Sequence, residues 1–171
     1  MLKFEKVSLA QWRKDAAKLK FHTSWDNLTE EEQSFVDNAY NSIKLPTRAT
    51  AKSAGYDFFL PYDVSFTGGY QTIPTGIRFI ADDPKVVLQL YPRSGLGFKY
   101  GSYLANTVGI IDADYADSDN EGHIMLKMNA ETPLVLEAGK GIMQGILQYY
   151  LIIDDDEAFA SRNGGFGSTG A

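Results

Sequence analysis

A chain of 171 residues, 44% hydrophobic and 13% aromatic, is long enough for one domain with a sizeable core plus a small appendage, and its composition is far from that of disorder. It has no cysteine, which excludes disulfides, thiolate nucleophiles and cysteine-ligated zinc. A net charge of −6 argues against general affinity for a nucleic acid backbone, so a phosphate ligand has to be held by local donors or a metal.

The opening Met1-Leu-Lys-Phe-Glu-Lys carries charge where a signal peptide needs an apolar run, and no apolar stretch reaches the roughly 18 residues of a membrane helix. The expectation is a cytoplasmic protein without membrane association. Residues 1–44 then read as a helical extension. Ser8 with Gln11 forms a capping box, Val7 staples onto Trp12, and Leu9, Trp12, Ala16 and Leu19 line one helical face. A second box, Thr29 with Glu32, opens a helix with Phe35, Val36, Ala39, Tyr40 and Ile43 at apolar spacing. Such a pair either packs on the main domain or offers a surface to a protein partner.

From Leu45 onward short apolar runs alternate with Gly, Pro and Asp turns, which predicts an all-β sandwich or barrel over residues 45–160. Strands are expected at Gly76–Ile80, Val86–Leu90, His123–Met128 and Ile142–Ile153. In His123–Met128, Ile124, Leu126 and Met128 alternate with His123, Met125 and Lys127, as expected of a half-buried strand, and His123 reads as a structural or a surface histidine. The apolar run at 142–153 suggests burial in a core or a subunit interface.

Four clusters carry chemistry. Asp57 lies in the apolar, glycine-containing Ala54–Phe58 and serves either a turn or a ligand. Arg93, Ser94 and Gly95 follow an expected strand and supply a planar fork, a hydroxyl and accessible backbone N–H groups to phosphate oxygens. In Asn106–Tyr115, Asp112 abuts Ile110 and Ile111 and is either a turn former or a partly desolvated base. The acidic run that follows fails the calcium-loop pattern, with Asp117 and His123 where glycine and glutamate are required. The last cluster, residues 161–171, is a glycine-rich tail: Arg162, Ser168 and Thr169 can engage an anion and Phe166 can stack on a base. Two histidines, His22 and His123, leave little for a histidine zinc site or a Ser-His-Asp triad. No Walker A pattern occurs.

In this order the clusters resemble the five motifs of the trimeric deoxyuridine triphosphatases, the dUTPases. Ala54–Phe58 looks like the first, Pro92–Leu96 the second, Gly109–Tyr115 the third, Gly139–Leu147 with Gln144 the fourth, and Arg162–Gly170 the fifth. The resemblance spans residues 45–170. It implies a dUTPase-like jelly-roll or β-barrel protomer, a homotrimer with shared active sites, and Mg2+-assisted hydrolysis of dUTP to dUMP and pyrophosphate. It makes Asp112 the carboxylate that activates water and Gln144 its helper, with Asp57 organising the metal's water shell. Arg93, Ser94 and Gly95 would hold phosphate oxygens. Asn106 would read uracil beside Gly109 and Ile111, and Tyr115 would pack under the deoxyribose. Phe166 and Gly167 would cover the base while Arg162, Ser168 and Thr169 close on the phosphates as a lid.

The sequence departs from the family pattern in three places. Gly141 and Met143 replace the arginine and alanine before the glutamine, Ala116–Gly122 lengthens the third-motif loop, and Arg162 lies one residue closer to Gly164-Gly165. A dCTP deaminase of the same fold and a trimeric nucleotide-binding regulatory protein are the alternatives to the pyrophosphatase.

Overall fold

The computed structural model describes residues 1–160 and residue 162. Phe166, Gly167, Ser168 and Thr169, which the sequence assigns to the lid, lie outside the described residues.

The chain starts with a strand that the sequence reading did not assign. β1 (Leu2–Lys6) pairs antiparallel with β6 (Ile77–Ala81), in the register Leu2↔Ala81 to Lys6↔Ile77. Its alternating charges masked it, because Lys3 and Glu5 form ion pairs with each other and Glu5 also with Arg78, leaving Phe4 to pack on Tyr56, Phe58 and Phe79. Two helices follow, α1 (Leu9–Lys20) and α2 (Glu30–Ser42). The Thr29–Glu32 box forms as expected, with Thr29 N–H donating to Glu32 at 2.9 Å and Glu32 N–H to Thr29 Oγ1 at 3.3 Å. At α1 only half of the expected box forms. Ser8 Oγ accepts from Gln11 N–H at 3.1 Å, but the Gln11 side chain turns inward and donates to Asp15 at 2.7 Å.

The buried face of α1 therefore carries Gln11 and Asp15 beside Trp12, Ala16 and Ala17. Trp12, fully buried, donates its ring N–H to the Val36 carbonyl at 2.9 Å and joins α1 to α2. One apolar cluster runs from Trp12, Val36 and Ile43 to Phe58, Phe79 and Leu88, so the helices and strands share a core.

The remainder is antiparallel β-structure. β2 (Thr47–Arg48), β3 (Tyr56–Phe59), β7 (Val86–Pro92), β9 (Gly109–Ile111) and β12 (Gly141–Tyr149) make one sheet in the order β2-β3-β12-β7-β9. β5 (Gln71–Pro74), β8 (Tyr103–Leu104) and β10 (Met125–Asn129) make another in the order β5-β10-β8, and β4 (Val64–Phe66) pairs with β11 (Leu134–Leu136). A short helix, α3 (Ser94–Tyr100), follows β7 and ends on Gly101 in the left-handed conformation, at φ +57°. Among the described residues no helix is long and apolar enough to cross a membrane.

The strand boundaries move in ways that matter for the site. β10 begins at Met125, so His123 precedes the strand, and it is fully buried, the structural of its two readings. β12 stops at Tyr149, and Leu151 and Ile153 beyond it are exposed in the single chain, at 98% and 73%.

Replacing Trp12 by alanine removes a fully buried indole and its hydrogen bond; a loss of about 3–5 kcal/mol in urea unfolding is expected. Acid should act on the same segment. Hydrogen bonds from Lys3 and Arg78 hold the Glu5 carboxyl below its ordinary value, and those from Arg13 do the same for Asp37. A lowered folded pKa contributes stability that is present above the unfolded value and lost as pH falls through the folded one. Thermal unfolding midpoints should therefore decline as pH drops below about 4.5, and less so in the Glu5→Gln/Asp37→Asn double variant.

Candidate active site

The site residues fall into two groups on opposite faces of one strand. On β12, Gln144 lies between Asp57 of β3 and Tyr91 of β7, each directly opposite in register, so all three share the outer face of the sheet. The neighbouring Phe58 and Leu90 point the other way, into the core. Arg93 follows β7, caps α3, and places its Nε 3.4 Å from Asp57 Oδ1. Arg93, Ser94 and Gln144 line an open cavity of about 620 Å³ with Tyr91 and Phe98. The first turn of α3, which contains Ser94 and Gly95, turns N–H groups outward that lack partners within the helix, as a phosphate oxygen requires.

Two glycines make room here. A Cβ at Gly55 would stand 2.6 Å from Gln144 Oε1, and one at Gly141 would stand 2.5 Å from Arg93 Nη1. The second contact gives the departure at Gly141 a physical role, since the Arg93 side chain lies across that position. Met143 is fully buried and serves the core.

The second group lines a cavity of about 370 Å³ between β7, β9 and β10, formed by Asn106, Gly109, Ile111, Asp112 and Tyr115 together with Arg162. Gly109 lies opposite Leu90 in the sheet, where a Cβ would approach the Leu90 side chain at 3.0 Å. Thr107 takes the left-handed conformation, φ +62°, and bends the chain so that Val108 N–H donates to the Asn106 carbonyl at 2.7 Å. Asp112 follows β9 and starts a five-residue 3-10 turn, Ala113–Asp117, that carries Tyr115.

Tyr115 is buried, and that burial pushes its phenol above the ordinary tyrosine value. It remains a donor, to the His123 carbonyl at 3.1 Å. The Asp112 side chain is 43% exposed. What engages it is Arg162, whose Nη2 binds Asp112 while its Nε binds Asp114 at 2.7 Å, with the guanidinium 5.8 Å from the Tyr115 ring centre.

Thus Arg93, Ser94, Gln144 and Asp57 come together, as do Asn106, Gly109, Ile111, Asp112, Tyr115 and Arg162, but the two cavities share no residue. Sequence reasoning missed Asp114 as a partner of Arg162, Gly55 as the space for Gln144, and Lys127, which lines the second cavity from β10.

The β architecture thus carries two separate cavities, one lined by Asn106 and Tyr115 and the other by Arg93 and Ser94. The dUTPase family model matches residues 41–170. Deoxyuridine 5'-triphosphate nucleotidohydrolases of Lactococcus lactis and Chromobacterium violaceum are similar to this chain, at 42% identity over 135 residues (75% of this chain, 89% of the relative) and 38% over 136 (74% and 87%). The crystal structure of a dUTPase from Streptococcus mutans superposes with a TM-score of 0.63 at 31% identity, covering 89% of this chain and 98% of that one. The chain belongs to the dUTPase family.

Because the atom met at position 55 is the end of a flexible side chain, Gly55→Ala should displace Gln144 without unfolding the protein. We expect an unchanged thermal midpoint within a few degrees and a turnover on dUTP lowered by roughly ten- to a hundredfold, measured side by side.

Proposed function

We infer that the protein hydrolyses dUTP to dUMP and pyrophosphate at sites completed by neighbouring copies of the chain in a homotrimer. The observation that carries this is the placement of the two cavities on opposite faces of β7: a nucleotide in the Asn106 cavity cannot reach Arg93 and Gln144 of the same chain through the sheet. A second copy has to bring its phosphate cradle to it. Apolar residues at Tyr149, Leu151 and Ile153, exposed by 73% or more in the single chain, support assembly.

In this reading uracil enters the Asn106 cavity, where one side-chain amide offers a donor and an acceptor in fixed array. The deoxyribose lies on Tyr115, which leaves no room for a 2'-hydroxyl. Asp112 takes the proton of the attacking water, with Gln144 of another copy orienting it. Arg93, with Ser94 and Gly95, binds phosphate oxygens, and Arg162 exchanges Asp112 and Asp114 for the triphosphate. Both states of Arg162 are charge-assisted, so the exchange costs little and uncovers the base.

Among the described residues no three His, Asp or Glu side chains converge to hold a metal, and Asp57 is already paired with Arg93. A single hard carboxylate fits contact with the water shell of a Mg2+ carried by the substrate, not an all-protein cage. Bound to the triphosphate, Mg2+ would supply charge neutralisation.

Asp112→Asn should lower kcat on dUTP by about a hundred- to ten-thousandfold with the assembly intact by light scattering. The same preparation is assayed with wild-type protein on dCTP, dTTP and UTP. Ammonia released from dCTP, or a near-normal rate for Asp112→Asn, would overturn the reading.

A further inference from the structure

The turn that carries Tyr115 packs against β6 and β7, and helix α1 reaches it through the segment that follows it. Tyr115 donates to the His123 carbonyl at 3.1 Å and accepts from Asn120 Nδ2 at 3.0 Å. The His123 ring, fully buried, has both nitrogens engaged: Nε2 accepts from Gly76 N–H at 2.8 Å, and Nδ1 faces Asp15 Oδ2 at 2.6 Å. With Nε2 occupied by a donor, the ring proton sits on Nδ1 and is given to Asp15. Gln11 donates to the same carboxylate oxygen at 2.7 Å.

A second clamp lies two residues earlier. Glu121 accepts from the Ser8 backbone N–H at 2.7 Å and from the Ser8 hydroxyl at 2.6 Å. It takes over the part of the capping box that Gln11 leaves vacant, from 113 residues away in sequence. Burial raises the Glu121 carboxyl, but the Ser8 hydrogen bonds outweigh this and hold it below its ordinary value. Glu121 itself is left-handed, φ +59°, a conformation that a non-glycine residue keeps only where its surroundings enforce it.

Ser8, Gln11 and Asp15 precede residue 41, where the family match begins, and Glu121 lies in the lengthened loop 116–122. The extension and the loop meet as two halves of one device. We propose that Asp15, His123 and Glu121 are positioning residues, through which α1 sets Tyr115 against the sugar and so governs discrimination between deoxyribo- and ribonucleotide. The inference rests on the placement of Tyr115 under the deoxyribose proposed above. A five-residue 3-10 turn has weak hydrogen-bond geometry of its own, so its precision has to come from what it docks on.

The test compares kcat and KM on dUTP and UTP for the full chain carrying Glu121→Ala, Glu121→Gln, Asp15→Asn or Tyr115→Ile. Glu121→Ala should raise KM for dUTP more than it lowers kcat, and reduce the dUTP-to-UTP ratio of kcat/KM by roughly ten- to a hundredfold. Glu121→Gln, which keeps one acceptor for Ser8, should restore part of that ratio. Asp15→Asn should lower it in the same sense, and if that variant does not fold, Glu121→Ala decides, since its partner is at the surface. A lowered thermal midpoint with an unchanged ratio in Glu121→Ala would make the clamp a plain structural tie and overturn the proposal. Tyr115→Ile separates the two ideas. If it lowers the ratio while Glu121→Ala does not, the sugar platform stands and the clamp falls; if it leaves the ratio unchanged, the platform falls and the clamp's role with it.

Discussion

β12 is hydrogen-bonded along both edges, to β3 on one side and β7 on the other, and the position of every chemical group in the sheet depends on that double pairing. A strand held on two edges cannot slip by one residue without turning its buried side chains outward, so Ile142 and Met143 in the core hold Gln144 on the outer face. Asp57 and Tyr91 then stand opposite it, and Arg93 follows from the end of β7. The register shift between Gly141 and Met143 falls where the Arg93 side chain crosses the strand.

The same alternation divides the proposed site. Leu90 and Tyr91 are neighbours on β7, yet one faces the pocket of Asn106 and the other the cradle of Arg93. The two cavities therefore share no lining residue, and that separation is the basis of the shared site proposed above. The exposed apolar run after Tyr149 supports the assembly proposed above.

Residues 1–44 add a layer outside the part matched to the family. Their strand forms a two-stranded sheet with β6, their helices share the core, and two carboxylates, Asp15 and Glu121, join α1 to the loop behind Tyr115. Burying Asp15 and His123 is tolerable because both ring nitrogens of His123 and Oδ2 of Asp15 have partners, and that mutual dependence makes the contact specific.

Short-range chemistry was legible in the sequence. The Thr29–Glu32 cap, the alternation of Ile124, Leu126 and Met128, and the order of the motif residues all lie within a few positions of one another, and local hydrogen bonds and side-chain periodicity encode them directly. What only the tertiary structure decided were the pairs of distant residues: Glu121 with Ser8 in place of Gln11, His123 turned inward onto Asp15, Arg162 drawn to Asp112 and Asp114. Charged β1 escaped notice for the same reason, since its ion pairs include Arg78 on a partner strand. A residue's neighbours in sequence set its conformation, but whether its polar atoms are buried, and with whom they pair, depends on surfaces that come together only when the chain has folded.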